Sequence, residues 1–289
     1  MDDLDFSKPP RKPEPAKAPK PVYQPAVARA FFQSAGRAEA VAAGTRFFAE
    51  NEKASRILLK RDKMYLLLQG EVALLARGKP IGSVKPGEIF GEMAAISESP
   101  RSATAQAKTA CEVISLDDKQ FQSALRQKPE FALMLLGIMS ARLRAMLTQL
   151  SGIPAAPAAL KETRVFDKSL LAALDKGLGD TARVRYERGK VIMVQGQTGA
   201  FMYVVLQGRV AISLRGAVVE RVGPGGVFGE MALVDQSVRA ANASAETDCV
   251  LLAINRTVFL NLVKSDPTFG VSLLGAMAER LRHLAAGAS

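Results

Sequence analysis

The chain repeats itself, and that constrains its fold more than any other feature. Met64 to Leu143 and Met202 to Leu281 align without a gap at a constant offset of 138 residues. Gly70 pairs with Gly208, Glu92 with Glu230, Arg101 with Arg239, Cys111 with Cys249 and Pro129 with Pro267. A period of this length describes two duplicated domains, because solenoid repeats run only about 20–50 residues. At 289 residues each copy can build its own core.

The densest shared stretch is Phe90-Gly91-Glu92-Met93-Ala94, followed by Pro100-Arg101-Ser102-Ala103-Thr104. It recurs as Phe228-Gly229-Glu230-Met231-Ala232 and Val238-Arg239-Ala240-Ala241-Asn242. A carboxylate and a guanidinium stand nine residues apart in both, after the same Phe-Gly step. Glycine allows backbone conformations barred to a side chain and lets a ligand come close. A helical turn starting at Glu92 would aim its free N–H groups at an anion such as phosphate. Arg101 offers a fork of donors to the same anion, a charge-assisted bond of about 1.5–3 kcal/mol. Glu92 would repel an anion and suits hydroxyls, as on a ribose, while Ser102 adds a hydroxyl donor. Ala240 has no hydroxyl in the second copy, although its N–H remains. Each copy therefore reads as a pocket for a small anionic ligand bearing hydroxyls. The competing reading of Glu92 and Arg101 is a surface ion pair, which contributes little. Phe90 and Phe228 equally suit core packing.

Residues 1–25 carry seven prolines among Lys, Arg and Asp, a composition expected to form a disordered arm. Apolar spacing predicts a helix over 26–35. Short strands rich in Val, Ile, Leu and Phe follow to about residue 116, with Gly70 at a bend and Lys85-Pro86-Gly87 as the turn into the motif. Such strands predict a small barrel or sandwich. Residues 129–150 predict a helix in which Leu136, Met139, Leu143, Met146 and Leu150 form a coiled-coil-like seam. Its twin carries Leu274, Met277, Leu281 and Leu284. The chain divides into the arm, a first domain at 26–151, an Ala/Pro-rich linker at 152–164 and a second domain at 165–289, opening with a short helix at 167–176. Asn51 takes the place of Gly196 at a tight turn, and Lys53–Lys63 holds about seven extra residues in the first copy, with Arg56, Lys60, Arg61 and Lys63 among that stretch. That loop is remote in sequence from the motif and reads as a solvated insertion or a partner-facing loop.

The motif pair resembles the phosphate-binding cassette of the cyclic nucleotide-binding domain, the family of catabolite activator protein and the cAMP-dependent kinase regulatory subunits. The run Ala107-Lys108-Thr109-Ala110-Cys111-Glu112-Val113 resembles catabolite activator protein as well. The resemblance spans nearly the whole chain after its first few dozen residues. It implies a mainly β fold with flanking helices: two β-rolls of jelly-roll, double-stranded β-helix type, each followed by a long helix. It also implies ligand-binding residues Phe90, Gly91, Glu92, Met93, Ala94, Arg101, Ser102 and Ala103 in the first site. The second site would use Phe228, Gly229, Glu230, Met231, Ala232, Arg239, Ala240 and Ala241. In the family the Glu takes the ribose 2′-hydroxyl, and the Arg with the cassette amides takes the cyclic phosphate. Counting from the cassette, the base-reading positions fall on Met146-Leu147 and Leu284-Ala285, an apolar lid that suits a flat ring without selecting one base.

Net charge is +11, spread along the chain rather than gathered in a block, so DNA binding is not the expectation. No apolar run approaches the roughly 20 residues of a membrane span, and the N-terminus has no signal-peptide pattern, which points to the cytoplasm. Cys111 and Cys249 read as buried strand thiols in a reducing compartment. A single histidine, His283, leaves no metal chemistry to argue for. No nucleophile–base pair accompanies the motifs, so the chain is not expected to be an enzyme and needs no cofactor. No helix-turn-helix follows the second seam, and the arm has no Arg-Arg-x-Ser/Ala inhibitor stretch. The expected function is a cytoplasmic receptor for cAMP or another cyclic nucleotide that signals to a separate protein effector. A cyclic dinucleotide receptor, a transcription-associated regulator and a ligand-free scaffold stand as alternatives. The seams are expected to pair within one chain, with a homodimer through the same residues as the rival.

Overall fold

The computed structural model of the chain describes residues 23–53, 62–97, 99–150, 165–235 and 238–287. The arm up to residue 22, the basic loop at 54–61 and the linker at 152–164 lie outside the described residues. So do the side chains of Met146, Leu147, Leu150, Ala232, Leu284 and Ala285.

The first copy runs α1 (Pro25–Ala35), β1 (Arg37–Val41), β2 (Arg46–Phe48), β3 (Met64–Gln69), β4 (Val72–Ala76) and β5 (Lys79–Val84). It continues with β6 (Ile89–Phe90), α2 (Glu92–Ser97), β7 (Thr104–Ala107), β8 (Cys111–Leu116), α3 (Asp118–Gln127) and α4 (Glu130–Leu150). The second copy runs α5 (Lys168–Leu178), β9 (Arg183–Tyr186), β10 (Val191–Met193), β11 (Phe201–Gln207), β12 (Val210–Leu214) and β13 (Ala217–Val222). It closes with β14 (Val227–Phe228), α6 (Ala232–Asp235), β15 (Asn242–Ala245), β16 (Cys249–Asn255), α7 (Arg256–Ser265) and α8 (Pro267–Gly287).

Each copy builds two four-stranded antiparallel sheets of the same order: β1-β8-β3-β6 with β2-β7-β4-β5, and β9-β16-β11-β14 with β10-β15-β12-β13. The fold is thus mainly β with flanking helices, two rolls from one repeated pattern. The first roll is filled by Val72, Val84, Ala105, Val113 and Cys111 around an aromatic group of Phe47, Phe48, Tyr65 and Phe90. In register, Tyr65 faces Phe90 and Tyr203 faces Phe228, and both pairs stack. Both cysteines are buried free thiols.

A third apolar cluster joins the copies. α4 packs on α8, and Leu136, Met139, Leu143, Leu274, Met277 and Leu281 are buried in one core. The described part of the two seams therefore meets within the chain. Each long helix also leans on the other copy's cassette: α8 on α2, and α4 on α6. At the first of these contacts, a Cβ added to Gly275 would lie 3.4 Å from the Ile96 carbonyl.

One expectation needs correction, and two features go beyond the sequence reading. The arm does not extend to residue 25, because Pro25 is the first residue of α1 and Tyr23 is half-buried, its hydroxyl donating to the Gly87 carbonyl at 2.5 Å. Helices α3 and α7 fill stretches to which no element was assigned. The extra stretch of the first copy is remote from the cassette in sequence, yet its described end reaches it, since Asp62 and Lys63 both contact Arg101.

Candidate functional site

The short strand β6 delivers the chain to Gly91, whose φ of +77° is a left-handed conformation that favours glycine. A Cβ there would also lie 2.9 Å from an Arg101 Nη atom and 3.0 Å from the Phe48 ring. The absent side chain thus makes room for the guanidinium. Gly229 repeats this with φ +74° and a would-be contact of 2.7 Å to Arg239.

Arg101 is only 5% exposed, which rules out the surface ion pair. Its Nη1 donates to the Gly91 carbonyl at 2.7 Å and its Nη2 to the Lys63 carbonyl at 2.8 Å. Asp62 sits 3.1 Å from Nη2, and the guanidinium lies 4.1 Å above the Phe48 ring centre. Burial pulls this arginine below its ordinary value, with Asp62 foremost among the groups pulling it back. Its Nε is buried with no acceptor among the described residues.

Arg239 is 8% exposed and donates to the Gly229 carbonyl at 3.0 Å. Burial lowers it too, against Tyr203 and Glu230. Its guanidinium lies on the backbone of Gly199, where a Cβ would stand 2.3 Å from Nε. The position of Asp62 is taken here by Ala200, at the same offset of 138. The first arginine therefore has a carboxylate partner on the preceding loop, and that position offers none in the second copy.

Glu92 opens α2 and is mostly buried; among the described residues it pairs not with Arg101 but with Arg142 of α4, at 3.8 Å. Burial pushes its carboxyl above the ordinary value, opposed by its own backbone hydrogen bond and by Arg142 and Arg101. Glu230 is 4% exposed and lies 3.7 Å from Arg280 of α8. Arg280 also donates to Glu220 at 2.9 Å and to the Val227 carbonyl at 3.0 Å. Arg142 and Arg280 are twins at the same offset, and the sequence reading missed them; two arginines repeating on an apolar seam were the available signal.

The remaining residues divide between wall and mouth. Phe90 and Phe228 stack in the roll interiors, while Ala94, Ala103 and Ala241 are buried and Met93 and Met231 pack against the shared core. Ser102 is exposed, and Ala240 is partly buried. The helical turn expected at the glutamate begins there in the first copy, whereas in the second α6 starts two residues later, at Ala232.

A roll with a buried arginine hung on the Phe-Gly carbonyl, and a largely buried glutamate after the same glycine, occurs twice in the chain. The sequence matches the cyclic nucleotide-binding domain over residues 39–128 and 183–266, and the chain belongs to that family. It is 28% identical over 204 residues to a cAMP-dependent protein kinase regulatory subunit of Eremothecium gossypii, covering 70% of this chain and 40% of that protein. It is 37% identical over 115 residues to the cyclic AMP receptor protein of Thermus thermophilus, covering 38% of this chain and 53% of that one. The solved catabolite activator protein of Thermus thermophilus matches with a TM-score of 0.38 and 31% identity, over 44% of this chain and 62% of that one. The chain thus spans about half the length, or less, of the curated relatives it matches. Among the described residues no helix is long and apolar enough to cross a membrane, and no cluster of His, Cys, Asp and Glu could hold a metal.

Proposed function

We propose that the chain is a non-enzymatic, cytoplasmic receptor for a cyclic nucleotide, cAMP foremost, and that it passes ligand occupancy to a separate protein. Arg101 and Arg239 would each take the cyclic phosphate, with the amides after Gly91 and Gly229, and Glu92 and Glu230 would accept the ribose 2′-hydroxyl. The carrying observation is the buried Arg101, fixed by two carbonyls, with its Nε without an acceptor among the described residues. Domains at 26–151 and 165–289 would form one receptor unit, the apolar ends of α4 and α8 lying over the purine. Occupancy would act by shifting the population of helix packings at the α4–α8 junction, where both cassettes meet both long helices.

Isothermal calorimetry with cAMP, cGMP and a cyclic dinucleotide tests this reading. Two sites per chain for a mononucleotide are expected. Heat from the dinucleotide alone would move the ligand class, and silence with all three would reduce the protein to a scaffold.

A further inference from the structure

The turn before each cassette carries a contact that phosphate or sugar binding does not need. In the first copy Gly87, four residues before Gly91, is part of a tight turn: its N–H donates to the Leu67 carbonyl at 2.7 Å, and Glu88 closes on Lys85 at 3.0 Å. Its own carbonyl accepts the Tyr23 hydroxyl at 2.5 Å. The next residue, Gln24, donates its backbone N–H to the sulfur of Met134 on α4 at 3.4 Å. Phe31 of the helix that follows stacks on Phe131 at the start of α4, with ring centres 3.7 Å apart. The segment entering the first domain is thus fastened to the cassette's approach strand and to the long helix.

The second copy makes the same connection with different chemistry. Gly225 is the twin of Gly87, and its carbonyl accepts the backbone N–H groups of Val165 and Phe166, both at 2.9 Å. Phe166 then stacks on Phe269, the twin of Phe131, at 5.2 Å. The same carbonyl is used twice, once by a side chain and once by the main chain, although the entering segments have unrelated sequences. Such recurrence in unlike sequence points to a shared mechanical need rather than to chance packing.

We propose that this turn carbonyl moors the segment entering each domain to its nucleotide site, with Tyr23 as a side-chain latch that steadies the first cassette. The latch holds the Gly87–Phe90 approach in place, and with it the Gly91 backbone and Glu92. By reciprocity, ligand in the first site tightens the latch and steadies α1. The first site can be loosened by removing one oxygen atom, whereas the second, moored by backbone, cannot. Burial together with Glu88 and Glu92 pushes the Tyr23 phenol up to about 12, so it remains a donor across the working pH range. The inference rests on the receptor reading, because it concerns the same site.

The test uses the full chain with Tyr23→Phe, which keeps the ring and removes the hydroxyl. It is read in an Arg239→Ala background to isolate the first site and in Arg101→Ala to isolate the second. With cAMP as the probe, Tyr23→Phe should weaken the first site about 3- to 10-fold, the effect of one lost hydrogen bond, and leave the second unchanged. Hydrogen exchange should be faster in α1 and in Glu88–Phe90 of the ligand-free variant, and cAMP should slow α1 exchange more in the parent than in Tyr23→Phe. Equal first-site affinity in the two proteins, or equal loss at both sites, overturns the latch. If neither parent binds any cyclic nucleotide the receptor reading fails, and faster ligand-free exchange on losing the hydroxyl would then leave only a structural tie.

Discussion

A buried guanidinium is costly unless its charge and donors are met. Arg101 meets most of that requirement with Asp62 and two carbonyls, and a phosphate would add an acceptor for Nε. Arg101→Ala and Arg239→Ala should each weaken binding at their own site by about 30- to 1000-fold, measured by calorimetry, and should change the other site only through the coupling between them. Arg101→Lys keeps the charge but loses the fork, and should recover only part of the affinity. Glu92 supplies a pH signature. Its carboxyl is raised by burial, so the folded protein holds that proton more tightly than the unfolded chain does. Its stabilising effect is therefore greatest at low pH and fades as pH rises past the unfolded and then the folded value. Binding runs the other way on the receptor reading, because the ionised acid is the form that accepts from the ribose 2′-hydroxyl. First-site affinity in an Arg239→Ala chain should fall as pH drops through the raised value, approaching about tenfold per unit below it. In Glu92→Gln that slope should vanish.

At the scale of elements, α4 and α8 make two rolls into one body. Leu136 and Leu274 are buried in the cluster that both copies share. Leu136→Ala and Leu274→Ala should each cost about 2–5 kcal/mol, and thermal unfolding of the parent should show one transition, not one per roll. Resolved separate transitions would mean that the shared core does not couple the copies. This pairing was legible because heptad spacing on both helices survives at the same offset, as was the turn geometry at Asn51, whose φ of +62° matches the left-handed Gly196. Helix α3 was legible in principle: Asp117 and Gln120 form a reciprocal capping box, a local signal that went unread. The contacts of Asp62, Tyr23 and Arg142 were not legible. Their partners lie 39, 64 and 50 residues away in sequence, and only the closed roll brings them together. Within a Pro-rich run nothing local sets Tyr23 apart, since its order comes from a carbonyl in a distant turn.

For the whole molecule, the arrangement makes each site the other's neighbour through a helix. α8 emerges from the second roll and leans on α2 of the first cassette, while α4 emerges from the first and leans on α6 of the second. Ligand that repositions α2 must press on α8, whose Arg280 faces Glu230; ligand that repositions α6 must press on α4, whose Arg142 faces Glu92. A ligand can shift this packing only by its differential affinity for the two arrangements. The coupling must be reciprocal, so each site changes the other's affinity by the same factor. The expected factor is about 5- to 150-fold, the usual range for coupled sites. Comparing first-site affinity in the parent chain with that in Arg239→Ala, and second-site affinity with that in Arg101→Ala, measures it from both directions. Because Leu136, Met139 and Leu143 pack with Leu274, Met277 and Leu281 within the chain, sedimentation should give the mass of a single chain with and without ligand, and coupling should not depend on protein concentration. A concentration-dependent dimer whose assembly tracks the coupling would place the communication between chains instead and overturn the internal route.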